Sequence, residues 1–179
     1  MKRLMTIIIV VLLALAWGSR SPYALENQIG APATHSKDFE RMKDLLGVWE
    51  GKSEMGKGIE QLRVTYELTS AGNAIVERFD AGRPHEMITI YHDYNGKLSM
   101  THYCSLGNQP HMELTNPGGD NLMFVLSGTN PGLATMTEAH MHTLNITIEG
   151  KDNITQTWTL YDKGTKKSDV VVKLVRTTM

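Results

Sequence analysis

A mainly β fold, a single antiparallel up-and-down β-barrel of about ten strands with one short N-terminal helix, is what this sequence predicts. Three observations predict it. From Gly47 onward apolar side chains recur at every second residue, the period of a strand with one buried face. The runs are separated by turn chemistry: Ala71-Gly72-Asn73, Asn95-Gly96, Asn116-Pro117-Gly118-Gly119, Asn130-Pro131-Gly132, Gly150-Lys151-Asp152 and Lys163-Gly164. Helical spacing occurs once in the domain, just before Gly47, so the strands must satisfy one another, and closure removes the exposed edges an open sheet would leave.

The N-terminus reads Met1-Lys2-Arg3 and then an apolar run from Met5 to Trp17. Two cations before a short apolar core is the layout of a secretory signal peptide, and the run falls short of the roughly 20 residues a membrane-spanning helix needs. Residues 1–24 are therefore expected to be removed, with cleavage after Gly18 or Ala24, leaving an exported, periplasmic or secreted protein without a stable membrane anchor. Residues 25–35 read as a flexible lead-in and 36–179 as the barrel domain. The chain has 18 basic and 19 acidic residues; three of the bases and none of the acids lie in 1–24, so the mature chain keeps 15 against 19, a net charge of −4. That balance argues against a nucleic-acid partner, which needs a basic surface. Cys104 is the single cysteine, so no intramolecular disulfide forms and the core must supply the stability.

Ser36 reads as a helix N-cap with Asp38 and Glu40 in the first turn, and Phe39, Met42, Leu45 and Leu46 make one apolar stripe over 37–46. Strands are expected at 47–55, 61–69, 73–80, 86–94, 97–104, 110–115, 121–127, 134–149, 153–162 and 168–177. The two-residue Asn95-Gly96 loop fixes a register: Tyr94 faces Lys97, Tyr91 faces Met100, Thr89 faces His102 and Met87 faces Cys104. The face carrying Met87, Thr89, Tyr91, Leu98, Met100, His102 and Cys104 lacks lysine and is expected to line the interior. By the same alternation Glu138, His140, His142, Leu144, Ile146 and Ile148 share one face, whose apolar end implies that it also points inward.

The first strand opens Gly47-Val48-Trp49-Glu50-Gly51, directly after the helix. This resembles the opening of calycin barrels: lipocalins, fatty-acid-binding proteins and nitrobindin-like haem barrels. The resemblance implies structural roles for three residues: Gly47 turning the chain into the barrel, Trp49 plugging its closed end, and Arg176 on the last strand packing over that tryptophan. A second likeness runs through Pro84-His85-Glu86-Met87, Tyr91-His92, Thr101-His102-Tyr103-Cys104 and Gly107-Asn108-Gln109-Pro110. It is similar to a group of uncharacterised bacterial lipocalin-like proteins, often exported, and implies a fold without a settled activity.

The leading expectation is a barrel that binds a small, largely apolar molecule, with Tyr91, His102, Cys104, Asn108, Gln109, His140 and His142 at the ligand. One alternative is a haem or a metal held by His102, His140 or His142. Against haem, Ser53 stands where the nitrobindin-like opening has its third glycine, and no histidine follows His142. The other alternative is a small hydrolase or isomerase with a histidine as general base. Enzyme signatures are poor: Thr89 stands where H-E-x-x-H needs its second histidine after His85-Glu86, and no nucleophile elbow, P-loop or dinucleotide fingerprint is present.

Overall fold

The computed structural model describes residues 34–55, 58–128 and 130–177. The expected signal segment 1–24 and nearly all of the lead-in 25–35 lie outside the described residues. One short helix, α1 (Lys37–Met42), continues as a 3₁₀ turn, Lys43–Leu45. Ten strands follow: β1 (Gly47–Met55), β2 (Gly58–Thr69), β3 (Ala74–Phe79), β4 (Met87–Tyr94), β5 (Lys97–Tyr103), β6 (His111–Leu114), β7 (Asn121–Leu126), β8 (His140–Ile148), β9 (Asn153–Asp162) and β10 (Thr165–Arg176). Each pairs antiparallel with its neighbour in sequence, and β1 also pairs with β10, closing the barrel. Among the described residues no helix is long and apolar enough to cross a membrane.

Alternation decides the interior. Trp49, Leu62, Val64, Tyr66, Ile75, Tyr91, Leu98, Met100, Phe124, Leu144, Ile146, Val172 and Leu174 point inward and are buried in one contiguous core. The β4–β5 hairpin has the register its two-residue turn dictates, with Tyr94 opposite Lys97, Tyr91 opposite Met100 and Thr89 opposite His102. Asn95 and Gly96 both have positive φ, 51° and 74°, the backbone of a type I′ turn whose twist matches that of the strands.

The end of the barrel nearest α1 is closed by hydrogen bonds that begin at the helix. Ser36 caps the first turn by accepting from the Phe39 N–H at 3.0 Å and ties it to the β4–β5 hairpin by donating to Asp93 at 2.7 Å. Asp38 accepts from the Gly118 N–H at 2.9 Å, and Arg41 donates to the Gly119 and Asp120 carbonyls, so the β6–β7 turn is pinned as well. Phe39, Met42 and Leu45 then cover the core from below. Trp49 donates its indole N–H to the Leu45 carbonyl at 2.8 Å. The Arg176 guanidinium lies 4.2 Å from the centre of the Trp49 ring and donates to the Leu46, Asp44 and Lys151 carbonyls. Gly47 sits beneath it at φ +123°, where a Cβ would stand 3.2 Å from the Arg176 Nη1. At Gly51 a Cβ would fall 1.9 Å from the Lys173 carbonyl oxygen, so the close approach of β10 to β1 requires glycine there.

Several boundaries differ from the sequence reading. The helix is α-helical only to Met42 and tightens to 3₁₀ before Gly47. β2 begins at Gly58 and β10 at Thr165, each three residues earlier than expected, because the β1–β2 and β9–β10 ladders run further than the apolar pattern does. The expected strand 134–149 begins only at His140. Residues 134–139 form turns instead: the Glu138 N–H donates to the Thr135 carbonyl, and the Thr137 carbonyl accepts from Lys163 at 2.8 Å.

Replacing Arg176 with methionine keeps the packed stem and removes the cation and three donors. We expect a loss of about 2–3 kcal/mol from the cation–π contact and the hydrogen bonds together. Equilibrium urea unfolding followed by tryptophan fluorescence measures it, and an unchanged midpoint would show that the closed end does not depend on Arg176.

Candidate functional site

The candidate site lies in the half of the barrel away from α1, where the lumen turns polar. Ile75, Glu77 and Phe79 alternate inward along β3, so the acid between two apolar residues is carried into the core, 1% exposed. Gln156 is carried in likewise between Ile154 and Trp158 on β9. The Trp158 indole N–H, which can only donate, reaches the Gln156 Oε1 at 3.1 Å. That fixes the amide: its NH₂ faces the other way and donates to the Glu77 Oε1 at 2.7 Å and to the Tyr66 hydroxyl at 2.5 Å. Tyr91 donates to the Glu77 Oε2 at 2.5 Å. Tyr66 and Thr89 lie close enough to Glu77 for their hydroxyls to favour its charged form.

Four donors thus surround one carboxyl group, and no lysine or arginine among the described residues pairs with it. Taking an ion out of water costs several kcal/mol. Hydrogen bonds to a charged group return about 1.5–3 kcal/mol each. The two effects are of similar size; burial prevails, and the Glu77 carboxyl is raised above the usual carboxylate range. Burial and then the neighbouring Glu77 push the Tyr66 and Tyr91 hydroxyls well above theirs, so both remain donors at neutral pH.

Thr89 links this network to His102. Its hydroxyl is 3.0 Å from the His102 Nδ1 and has one proton to give. With that proton on Glu77, the histidine Nδ1 must carry its own hydrogen and donate it to Thr89. The Nε2 is then a bare acceptor. It is buried, and no described protein group reaches it. Burial pushes the His102 pKa down to about 4, which keeps the ring neutral, and the ring packs 4.5 Å from Trp158 between centroids. His102, Glu77 and Thr89 line a cavity of about 20 Å³ whose other walls are Phe79, Met87, Met141, Trp158, Val170 and Val172. That volume accommodates about one water-sized group. Met87, Met141 and Val170 are only half-buried, so the cavity borders solvent through two flexible side chains and a valine.

The other expected ligand residues lie elsewhere. Tyr91 is in the lumen but its hydroxyl is committed to Glu77. Cys104 follows the end of β5, buried, with its thiol pKa raised by burial. Asn108 donates to the Glu138 carboxylate at 3.0 Å and the Ala139 carbonyl at 2.8 Å, joining the loop after β5 to the segment before β8. Gln109 is exposed and donates to the Gly107 carbonyl at 3.2 Å.

His140 and His142 require a correction. The β8–β9 register shifts between Met141 and Thr143, so two-residue alternation breaks at His142. Below the shift Leu144 faces Trp158 in the lumen; above it Met141 faces Leu160 and His140 faces Tyr161. Met141 therefore lines the cavity, while His140 and His142 stand on the opposite face of the sheet. There His142 stacks on Tyr161 at 3.9 Å, His140 and His142 share a hydrogen at 3.2 Å, and the His140 Nδ1 donates to the Glu138 carbonyl at 2.7 Å. The expected convergence of His102, His140 and His142 in one lumen does not occur. Among the described residues no group of three or more histidine, cysteine, aspartate or glutamate side chains is placed to hold a metal ion. A haem does not fit a cavity of about 20 Å³.

Glu77, Gln156 and Trp158 were not among the expected site residues. Their signal was present: a lone polar residue flanked at both i±2 positions by large apolar ones on a strand points into the core.

No family model matches the chain, and no curated protein is significantly similar to it. Solved structures are. One is a protein of unknown function from the DUF3598 family of Nostoc punctiforme, 14% identical with a TM-score of 0.53, the match covering 83% of this chain and 53% of that one. The chain thus spans about half the length of that relative. Another is Rv2717c from M. tuberculosis, 13% identical with a TM-score of 0.53, the match covering 81% of this chain and 100% of that one. The likeness is one of fold, and with the closed ten-strand antiparallel order it fits a calycin-like barrel.

The lowered His102 pKa carries a pH dependence with a definite sign. The unfolded chain takes up a proton near pH 6.5 and the folded chain only near 4, so stability is undiminished above 6.5 and falls as pH drops through that window. The full loss from this group is about 3 kcal/mol. Glu77 acts oppositely: its folded carboxyl is raised, so its contribution is present below pH 4.5 and fades as pH rises. Urea unfolding between pH 7 and 4 should show a markedly shallower fall for His102→Phe than for the native chain; parallel profiles would mean that His102 is not buried neutral.

Proposed function

We propose that this protein is an exported barrel that binds one small, largely apolar molecule at the end of the lumen away from α1, with His102 as its polar contact. The observation that carries this reading is the His102 Nε2: a buried acceptor without a protein partner, lining a cavity otherwise walled mainly by apolar side chains. An unsatisfied buried polar atom costs about 1–3 kcal/mol, which a ligand supplying a donor there recovers. The cavity itself takes only a water-sized group, so the body of a ligand displaces Met87 and Met141, the adaptable side chains at its border. Export forms part of the same reading and rests on the charge and hydropathy pattern of residues 1–24.

The relay from Glu77 through Thr89 to His102 also suits a histidine general base. A pKa of about 4 makes that base weak at neutral pH, since the ideal catalytic pKa lies near the working pH. Binding is therefore the stronger reading.

Native mass spectrometry of protein freshly purified from the producing cells tests both halves. The expected result is a mature chain beginning at Ser19 or Leu25 and a species carrying one additional small organic molecule, released on denaturation and lost in His102→Leu. An uncut chain overturns export. A bare mass from both the native chain and the variant overturns ligand binding.

A further inference from the structure

We infer that the molecule taken up is a small primary amine, whose ammonium end seats in the cavity between Glu77 and His102. This rests on the binding reading above and adds the chemical class of the ligand. Three features of one cavity select it. The first is His102, which lines the cavity with its Nδ1 engaged by Thr89 and its buried Nε2 without a protein partner; with the Thr89 proton turned toward Glu77, that Nε2 offers a lone pair for a donor. The second is Glu77, a buried carboxyl group lining the same space, with donors on its oxygens and no cation paired to it among the described residues. A carboxyl group in that position lacks one thing, a positive charge within reach. The third is the remaining wall. Trp158 and Phe79 present aromatic rings, which attract a cation, and Val170, Val172, Met87 and Met141 suit hydrocarbon.

Size agrees with charge. A cavity of about 20 Å³ takes a group the size of a water molecule, which an ammonium group is, and the alkyl or aryl part then leaves past Met87 and Met141. An alcohol of the same shape would satisfy the Nε2 but leave Glu77 without a counter-charge. A ketone would set acceptor against acceptor, and a carboxylate would add repulsion from Glu77, so the site selects against anions as well as for amines.

The test is isothermal titration of the purified mature chain with hexylamine, 1-hexanol and hexanoate at pH 7, three probes of one length that differ at the polar end. The expected order is hexylamine about tenfold or more tighter than 1-hexanol, with no binding of hexanoate. Glu77→Gln should erase the advantage of hexylamine over 1-hexanol. If 1-hexanol or hexanoate binds as tightly as hexylamine, the amine assignment falls and the ligand-binding reading stands. If none of the three binds, both fall together. If hexylamine keeps its advantage in Glu77→Gln, Glu77 is not its counter-charge and the assignment falls. The comparison of the three probes on the unaltered chain decides the amine assignment even where Glu77→Gln does not fold.

Discussion

The direction of one hydrogen bond orders the polar half of this lumen. The Trp158 indole can donate and cannot accept, so the amide of Gln156 must turn its oxygen toward it. The amide nitrogen is left facing Glu77 and Tyr66; Tyr91 donates to the same carboxyl group; and Thr89, close to Glu77, joins the network to the His102 Nδ1. The low-dielectric interior makes a mismatched donor or acceptor costly along such a network. The unpartnered His102 Nε2 is its far end, in a network that begins on β9 and ends on β5, with β2, β3 and β4 between.

The two ends of the barrel divide the work. Toward α1, the helix N-terminus is capped by Ser36, the carbonyls after it are held by Arg176, and the Trp49 indole donates to Leu45. Large side chains from every strand meet there, and the Gly51 contact with the Lys173 carbonyl shows how closely β1 and β10 are drawn together. The opposite half holds the uncompensated carboxyl, the unpartnered imidazole nitrogen and the half-buried methionines. The closing interactions and the candidate chemistry therefore lie at opposite ends of one axis.

How much of this was legible in the sequence depended on whether the strand period held. It held through the β4–β5 hairpin, because Asn95-Gly96 admits one turn type and one register, and Thr89, Tyr91 and His102 could be placed on one face from that alone. It failed at β8. A single residue out of step at His142 moves every side chain beyond it to the other face, and nothing in Ala139-His140-Met141-His142 marks such a shift as a glycine might. Two histidines assigned to the lumen consequently gather beside Tyr161 on the other face, where His142 stacks on its ring, and Met141 borders the cavity. Glu77 was missed for a different reason. In Val76-Glu77-Arg78 it reads as one half of an exposed charge pair, and only its company at i±2, Ile75 and Phe79, shows that it must go inside.

The lumen is also fuller than its ten strands suggest. Barrels of this class hold ligands when inward positions carry small side chains. Here Trp49, Tyr66, Tyr91, Phe124, Trp158 and the methionines at 100 and 112 take up the space, and the cavity that survives is water-sized. A filled lumen places a demand on any ligand: it must offer something that the displaced methionines did not. Hydrocarbon alone gains little, since it exchanges one apolar contact for another. A partner for the His102 Nε2 and a charge for Glu77 are interactions left unmade at this cavity, and they are what can repay the displacement. The tight packing of the barrel and the polarity of its cavity thus point to the same requirement, that recognition at this site is decided by the ligand's polar end.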